Sequence, residues 1–249
     1  MLNINTNKMI KEDYAYSKNT KLAKSKIDKN KYYDLYEACS IIKEIAFAKF
    51  NETIDIAVKL GVNPSHSNQI VRGIAAMPSG TGKIVKIAVI CQEEKIDEFK
   101  TTGADIVSSF NLIEQIKLGN IDYDVYIATP AMMVAVSQVA RILGPKGLMP
   151  NPKLGTVTND IATVVKKIKS GQVEFKVDKG SNIHAGIGKV SFSIDEIIAN
   201  VNALVTAIIK SKPSEAKGVY LKGIYLSTTM GPSIKLDTSS FVEESNSRR

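Results

Sequence analysis

Ile84-Val85-Lys86-Ile87-Ala88-Val89-Ile90-Cys91 is an almost unbroken apolar run with a single lysine in it. Such a run reads as a strand buried on both faces, the kind found inside a parallel sheet. The chain beyond it alternates. A charged helix is expected over residues 93–100, a short strand over 105–107, a short helix over 112–118 and another strand over 123–128. Thr129 can then cap a helix and Pro130 can take its first position, so a helix is expected from there to about Leu143. Strands alternating with helices imply a parallel sheet with helices on its faces.

On either side of this middle the pattern becomes half-buried. Asp34 and Glu37 have capping-box spacing and open a helix with Leu35, Ala38, Cys39, Ile42, Ile45 and Ala46 on its apolar stripe, through about Lys49. Cys39 then reads as a small core residue. Ile54, Ile56, Val58 and Leu60 alternate with Thr53, Asp55, Ala57 and Lys59, as in a strand with one wet face, and residues 61–64 end it. The same style returns late in the chain. Val173, Phe175 and Val177 alternate with Glu174 and Lys176, and Val190 and Phe192 end another short strand. Ser193 and Glu196 form a capping box for a helix to about Lys210, and Pro213 stops it. Val219, Leu221, Tyr225 and Leu226 belong to a closing strand that ends near Ser227. Two half-buried ends around a fully buried middle imply a discontinuous outer domain with an α/β insertion.

Composition narrows the function. The 249 residues are 44% hydrophobic and 23% charged, which suits a packed core. Lys+Arg number 33 against 25 Asp+Glu, a net charge of +8 that suits a polyanionic partner. Over half of that excess lies in residues 1–33, with eight Lys and three acids. This is either a solvated tail or an arm that lies on phosphates. Glu12 and Asp13 and the absence of Arg argue against a transit peptide. No apolar run approaches the ~18 residues of a membrane span, so no membrane association is expected. There is no signal-peptide core, and the expected compartment is the cytoplasm or an organelle with its own protein synthesis. Cys39 and Cys91 are the only cysteines and His66 and His184 the only histidines, so neither a disulfide scaffold nor a structural zinc site is expected, and no cofactor.

Several motifs invite sharper readings. Ser79-Gly80-Thr81-Gly82-Lys83 resembles a phosphate loop, but that pattern needs Gly where Met77 stands and Ser or Thr where Ile84 stands. It also precedes a strand where a phosphate loop follows one, so a flexible domain junction is the better reading. A nucleotide-using enzyme remains the rival class, with ligand-induced stabilisation as its signature. A protein-interaction module is a third, and predicts no salt-sensitive RNA affinity. Gly186-Ile187-Gly188 reads as a turn between short strands. No catalytic constellation is present, and His184 reads as a structural histidine. Residues 144–156 hold three Pro and three Gly, an extended loop carrying Lys146 and Lys153. That loop is either a rigid hinge or a basic contact to a polyanion. Ser227-Thr228-Thr229-Met230-Gly231-Pro232 ends a strand with three hydroxyls, a flexible apolar side chain and a glycine. Hydroxyls suit ribose and phosphate, Met suits a base or sugar face, and Gly admits a close backbone. The plain alternative is a strand-end turn.

From about Lys26 to Leu236 the chain resembles the bacterial-type large-subunit ribosomal protein L-one (universal L-one) family. The carrying strings are Lys49-Phe50-Asn51-Glu52-Thr53, Val71-Arg72-Gly73, Gly80-Thr81-Gly82-Lys83, the 144–157 loop, Lys217-Gly218-Val219-Tyr220 and residues 227–232. The resemblance implies a two-layer α+β outer domain built from both chain ends, 1–79 and 171–249. It also implies an inserted Rossmann-like three-layer α/β/α domain at 80–170. It implies binding to large-subunit ribosomal RNA in the mobile stalk beside the tRNA exit site, help in releasing deacylated tRNA, and repression of the protein's own messenger RNA. RNA contacts carried over are Lys49, Phe50, Thr53, Lys176, Asp178, Thr228, Thr229, Met230 and Gly231, with Lys146 and Lys153 as secondary contacts and the N-terminal arm as a weaker one. Departures are Asn68 and Ile70 in place of Asp and Asn, Ser79 in place of His, a longer N-terminus, and Val177 in place of the Asn usually before Asp178. The last implies one missing polar contact on the RNA face.

Overall fold

The computed structural model describes residues 17–241 other than 29, 101 and 217. Residues 1–16, the start of the N-terminal arm, and Lys217 therefore lie outside the described residues. The chain forms two compact units. One takes the chain up to Arg72, Met77–Thr81 and the chain from Phe175 onward; the other takes Gly73–Ala76 and Gly82–Glu174.

The first unit is built on a four-stranded sheet of β1 (Thr53–Leu60), β7 (Asn182–Lys189), β8 (Leu221–Thr228) and β9 (Ile234–Leu236), in the order β7-β1-β8-β9. All its ladders are antiparallel. The alternation in β1 turns Ile54, Ile56, Val58 and Leu60 inward, where they are buried. Against the sheet lie α2 (Leu35–Ile45), with Ala38, Cys39, Ile42 and Ile45 buried, and α8 (Ile194–Lys210), with Ile197, Val201, Leu204, Val205 and Ile208 buried. Each such aliphatic side chain contributes about 1.5–3 kcal/mol by leaving water. The opposite face of the sheet keeps Lys59 and His184 in solvent. Burial pushes the Cys39 thiol up to about 12, consistent with a core residue.

Several local readings change. Asp34 caps α2 by accepting from Tyr36 N–H, but Glu37 pairs with Lys31 at 2.6 Å and completes no capping box. The helix ends at Ile45, short of Lys49. Gly186-Ile187-Gly188 is no turn: it lies inside β7, where Asp55 faces Gly186 and Ile54 faces Gly188, so Ile187 is the extra residue of a β-bulge. A Cβ on Gly188 would meet the Phe192 ring at 2.9 Å, so packing explains that glycine. That strand also ends at Lys189, before Val190 and Phe192. The capping box of Ser193 and Glu196 is present. The closing strand begins at Leu221, and Val219 is exposed. β9 and the N-terminal α1 (Lys18–Ser25) are additional elements.

The second unit holds a parallel sheet in the order β4-β3-β5, from β3 (Ile87–Ile90), β4 (Ile106–Ser108) and β5 (Val125–Ala128). Alternate β3 residues serve two cores. Ala88 and Ile90 pack with Leu112, Ile113 and Ile116 of α4 (Phe110–Lys117) and with Val136 of α5 (Met133–Ser137) and Leu143 of α6 (Ala140–Leu143). Ile87 and Val89 pack with Phe99 of α3 (Ile96–Lys100) and with Ile161, Val165 and Ile168 of α7 (Ile161–Lys169). The central strand is shorter than the apolar run, and Ile84 is 93% exposed. The helix expected over 130–143 is a 3-10 turn, α5 and α6 in succession. Thr129 does not cap it; its hydroxyl is buried without a hydrogen-bond partner.

β2 (Arg72–Ala76) and β6 (Gln172–Lys176) pair as a separate two-stranded ladder. The glycine-rich junction is pinned within the first unit. Ser79 N–H donates to Asn200 Oδ1 at 3.2 Å, while Asn200 Nδ2 donates to Gly80 O at 2.9 Å and to Ile187 O at 2.7 Å. Lys83 forms an ion pair with Asp124 at 2.6 Å, and the segment leads toward β3 without opening a helix. The phosphate-loop reading finds no support in that geometry.

Candidate nucleic-acid interface

The site begins where β1 starts and β8 ends, since antiparallel pairing puts those ends together: Ile54 faces Thr228. Beyond that pair the chains stay linked. Thr229 N–H donates to Thr53 O at 3.1 Å, and Thr53 N–H donates to the Thr229 hydroxyl at 3.1 Å. Gly231 N–H donates to the Thr228 hydroxyl at 3.0 Å. The strand end is therefore a hydrogen-bonded turn whose outer side chains have a fixed base.

Glu52 joins this turn to the passage leaving α2. It is only 2% exposed. Its Oε1 accepts from Ala48 N–H and its Oε2 from Met230 N–H, both at 3.0 Å. Burial pushes this carboxyl up, but donors at Met230, Thr228, Ala48 and Phe47 outweigh it and hold the group below the usual carboxylate range. On the two segments so joined, Phe50 is 55% and Met230 53% exposed, and Lys49 and Thr229 also face solvent. Thr228 differs: it is 3% exposed, with its hydroxyl committed inside the turn. Of the expected RNA contacts, Thr228 is therefore placed behind the exposed Thr229 and Met230.

The open face of the sheet continues from this rim. Lys189 Nζ donates to Thr53 Oγ1 at 2.7 Å. Asp55 lies beside it; burial pushes its carboxyl up, and Lys189 and His184 pull it partway back. Ala57 faces both His184 and Tyr225, and Lys235 reaches over the Tyr32 ring at 4.0 Å from its centroid. His184 lies 3.7 Å from Asp178. Asn182 N–H holds the Asp178 carboxyl below the usual range, with help from Gly180 and His184. Thr53 and Ala57 are separated by four residues of strand, about 13 Å.

The structure thus brings Lys49, Phe50, Thr53, Thr229, Met230 and Gly231 into one rim, with Asp178 at the far end of the same face. Lys176 is exposed on β6, in the two-stranded ladder rather than the four-stranded sheet. Val177 is buried and its N–H donates to Val71 O, so an apolar residue fills an inner position there. Lys146 and Lys153 are exposed in the second unit, on a loop anchored to the end of β5 through Ala128 N–H to Thr156 O. Glu52, Asp55 and Lys189 were not among the expected site residues. Glu52 was within reach, because it continues the inward register of Ile54, Ile56 and Val58 by one more step. Among the described residues no group of three or more His, Cys, Asp or Glu could hold a metal, and no helix is long and apolar enough to cross a membrane.

Comparison with known proteins adds an independent line. The pattern of the "Ribosomal protein L1p/L10e family" matches residues 42–232. The chain is 82% identical over 249 residues, all of both chains, to "Large ribosomal subunit protein uL1" of Orientia tsutsugamushi (strain Ikeda). It is 52% identical over 235 residues to the protein of that name from Rickettsia typhi, covering 94% of this chain and 99% of the other. It is 54% identical over 218 residues to the one from Rickettsia akari, covering 88% and 91%.

Proposed function

The chain belongs to the ribosomal protein L1p/L10e family, and from that premise we propose that it is a structural, non-enzymatic constituent of the large ribosomal subunit in the cytoplasm. It binds large-subunit ribosomal RNA in the mobile stalk beside the tRNA exit site. There it assists release of deacylated tRNA, and it represses translation of its own messenger RNA by binding a mimic of the ribosomal site. The first unit is read as the two-layer α+β RNA-binding domain built from both chain ends, and the second as a Rossmann-like three-layer insertion.

One observation carries the RNA reading. Lys49, Phe50, Thr229 and Met230 stand exposed on two turns that are hydrogen-bonded to each other through Glu52. A cation for phosphate, a hydroxyl for ribose and two apolar side chains for unstacked bases are the groups by which proteins read folded RNA. Their fixed base suits recognition by shape. Thr53 and Gly231 complete the rim, Thr228 supports it from behind, and Lys176 and Asp178 extend the contact, with Lys146 and Lys153 as secondary contacts.

The test is a gel shift with stalk RNA against a non-cognate hairpin of equal length at fixed salt. Clear preference for stalk RNA is expected, and Met230→Asp should weaken it by about 1–3 kcal/mol. Equal affinity for the two RNAs would refute the proposal.

A further inference from the structure

We propose that Glu52 is a positioning residue for RNA recognition: its buried carboxylate sets the distance between the two turns that carry Phe50 and Met230. This rests on the RNA-binding reading above. The motive is an electrostatic oddity. An ionised carboxylate is costly to bury and repels the phosphates that a basic protein gathers. Here it sits directly behind the rim, 2% exposed.

Geometry explains its presence. One carboxylate offers two oxygens with room for about four donors, all as acceptor. Ala48 N–H takes Oε1 and Met230 N–H takes Oε2, at 3.0 Å each, while Phe47 N–H and the Thr228 hydroxyl add to the set. The main chain of Glu52 is held as well, because Val190 N–H donates to its carbonyl at 3.0 Å. The side chain thus ties the exit of α2 to the end of β8, while the main-chain carbonyl of the same residue holds the chain leaving β7. A neutral amide cannot repeat this. It accepts at one oxygen only and presents a donor to the second N–H.

Two accounts of Glu52→Gln then differ in sign. Removing a negative charge near a phosphate-binding rim should leave RNA affinity unchanged or raise it, for any RNA. Loosening the two turns should lower affinity for the fitted RNA alone. The expected result is a roughly tenfold loss for stalk RNA, with affinity for a non-cognate hairpin unchanged or slightly higher. The backbone amide signals of Ala48 and Met230 should move in the NMR spectrum of the same variant. Wild-type discrimination retained by Glu52→Gln, or an equal loss on both RNAs, would overturn the proposal. A wild type that does not prefer stalk RNA would instead refute the functional reading itself. Should Glu52→Gln fail to fold, acid titration of the wild type decides: the Ala48 and Met230 amides should titrate together, and separate titrations overturn the idea.

Discussion

Gly231→Ala probes the rim most directly. A Cβ at that position would lie closer than 3.0 Å to the Thr228 hydroxyl oxygen and 3.9 Å from Ile45 Cδ1. Thr228 is buried and cannot swing into water, so one of its bonds must break. That hydroxyl accepts from Gly231 N–H and is bonded to Glu52. Losing a bond to a charged group costs about 1.5–3 kcal/mol and a neutral one about 0.5–1.5 kcal/mol, so about 2 kcal/mol is at stake for the one that breaks. If the turn keeps its shape under strain, the cost falls on stability, and a 2 kcal/mol loss lowers Tm by about 4–8 °C. If the turn relaxes, the cost falls on recognition, and the same 2 kcal/mol weakens stalk-RNA binding about thirtyfold. Filter binding at fixed salt, run beside a thermal melt, separates the two. Gly186→Ala is the control, since its Cβ would meet Asp55 and Thr53 only at 3.4 and 3.5 Å, and its Tm should stay within about 2 °C. Gly231→Ala with wild-type affinity and wild-type Tm would refute the packing argument.

Asn200→Ala leaves Ser79 N–H, Gly80 O and Ile187 O without their buried partner. Urea unfolding should show a loss of roughly 3 kcal/mol, and a loss below about 1 kcal/mol would contradict it. RNA affinity should fall with salt, and Lys49→Ala should make the slope of log affinity on log salt shallower by about 0.7–0.9, the share of one phosphate contact; an unchanged slope removes Lys49 from the interface. The Glu52 carboxyl is held below the usual range, so its share of stability is present above the ordinary glutamate pKa of about 4.3 and is lost as pH falls. Acid unfolding of Glu52→Gln should accordingly show a flatter dependence below that pH than the wild type, and parallel curves would contradict it.

What the sequence discloses and what it hides follow from range. Burial alternation in β1 and the capping box at Ser193 are local, so both are legible. The same is true of the two-sided burial of residues 87–90, where the hydrophobic pattern and the tertiary environment agree. Ile84 misleads because an apolar residue before a strand looks like one inside it. Gly186 and Gly188 mislead because their surroundings are tertiary: the ring of Phe192 packs on Gly188, and pairing with β1 sets the bulge between the two. The rim residues were legible as a composition, three hydroxyls with Met and Gly. Their sorting was not: nothing local tells Thr228 from Thr229, and only the pairing of Ile54 with Thr228 turns one inward and leaves the other outside.

The mixed charge of the open sheet face argues for fit over attraction. Asp55 and Asp178 share that face with Lys59, Lys189 and His184, and two of its lysines are already engaged, Lys189 with Thr53 and Lys235 with Tyr32. A surface of this kind gives arbitrary phosphate little gain, because Lys189, Lys235 and His184 each have a neighbour that competes for them. It can still favour one RNA strongly if hydroxyls, backbone and the side chains of Phe50 and Met230 meet a matching shape. That match needs its turns ordered before the RNA arrives, since a loop ordered on binding subtracts its lost entropy from the affinity. A buried acid that would weaken a purely electrostatic interface is in this setting what keeps a shape-reading one in register.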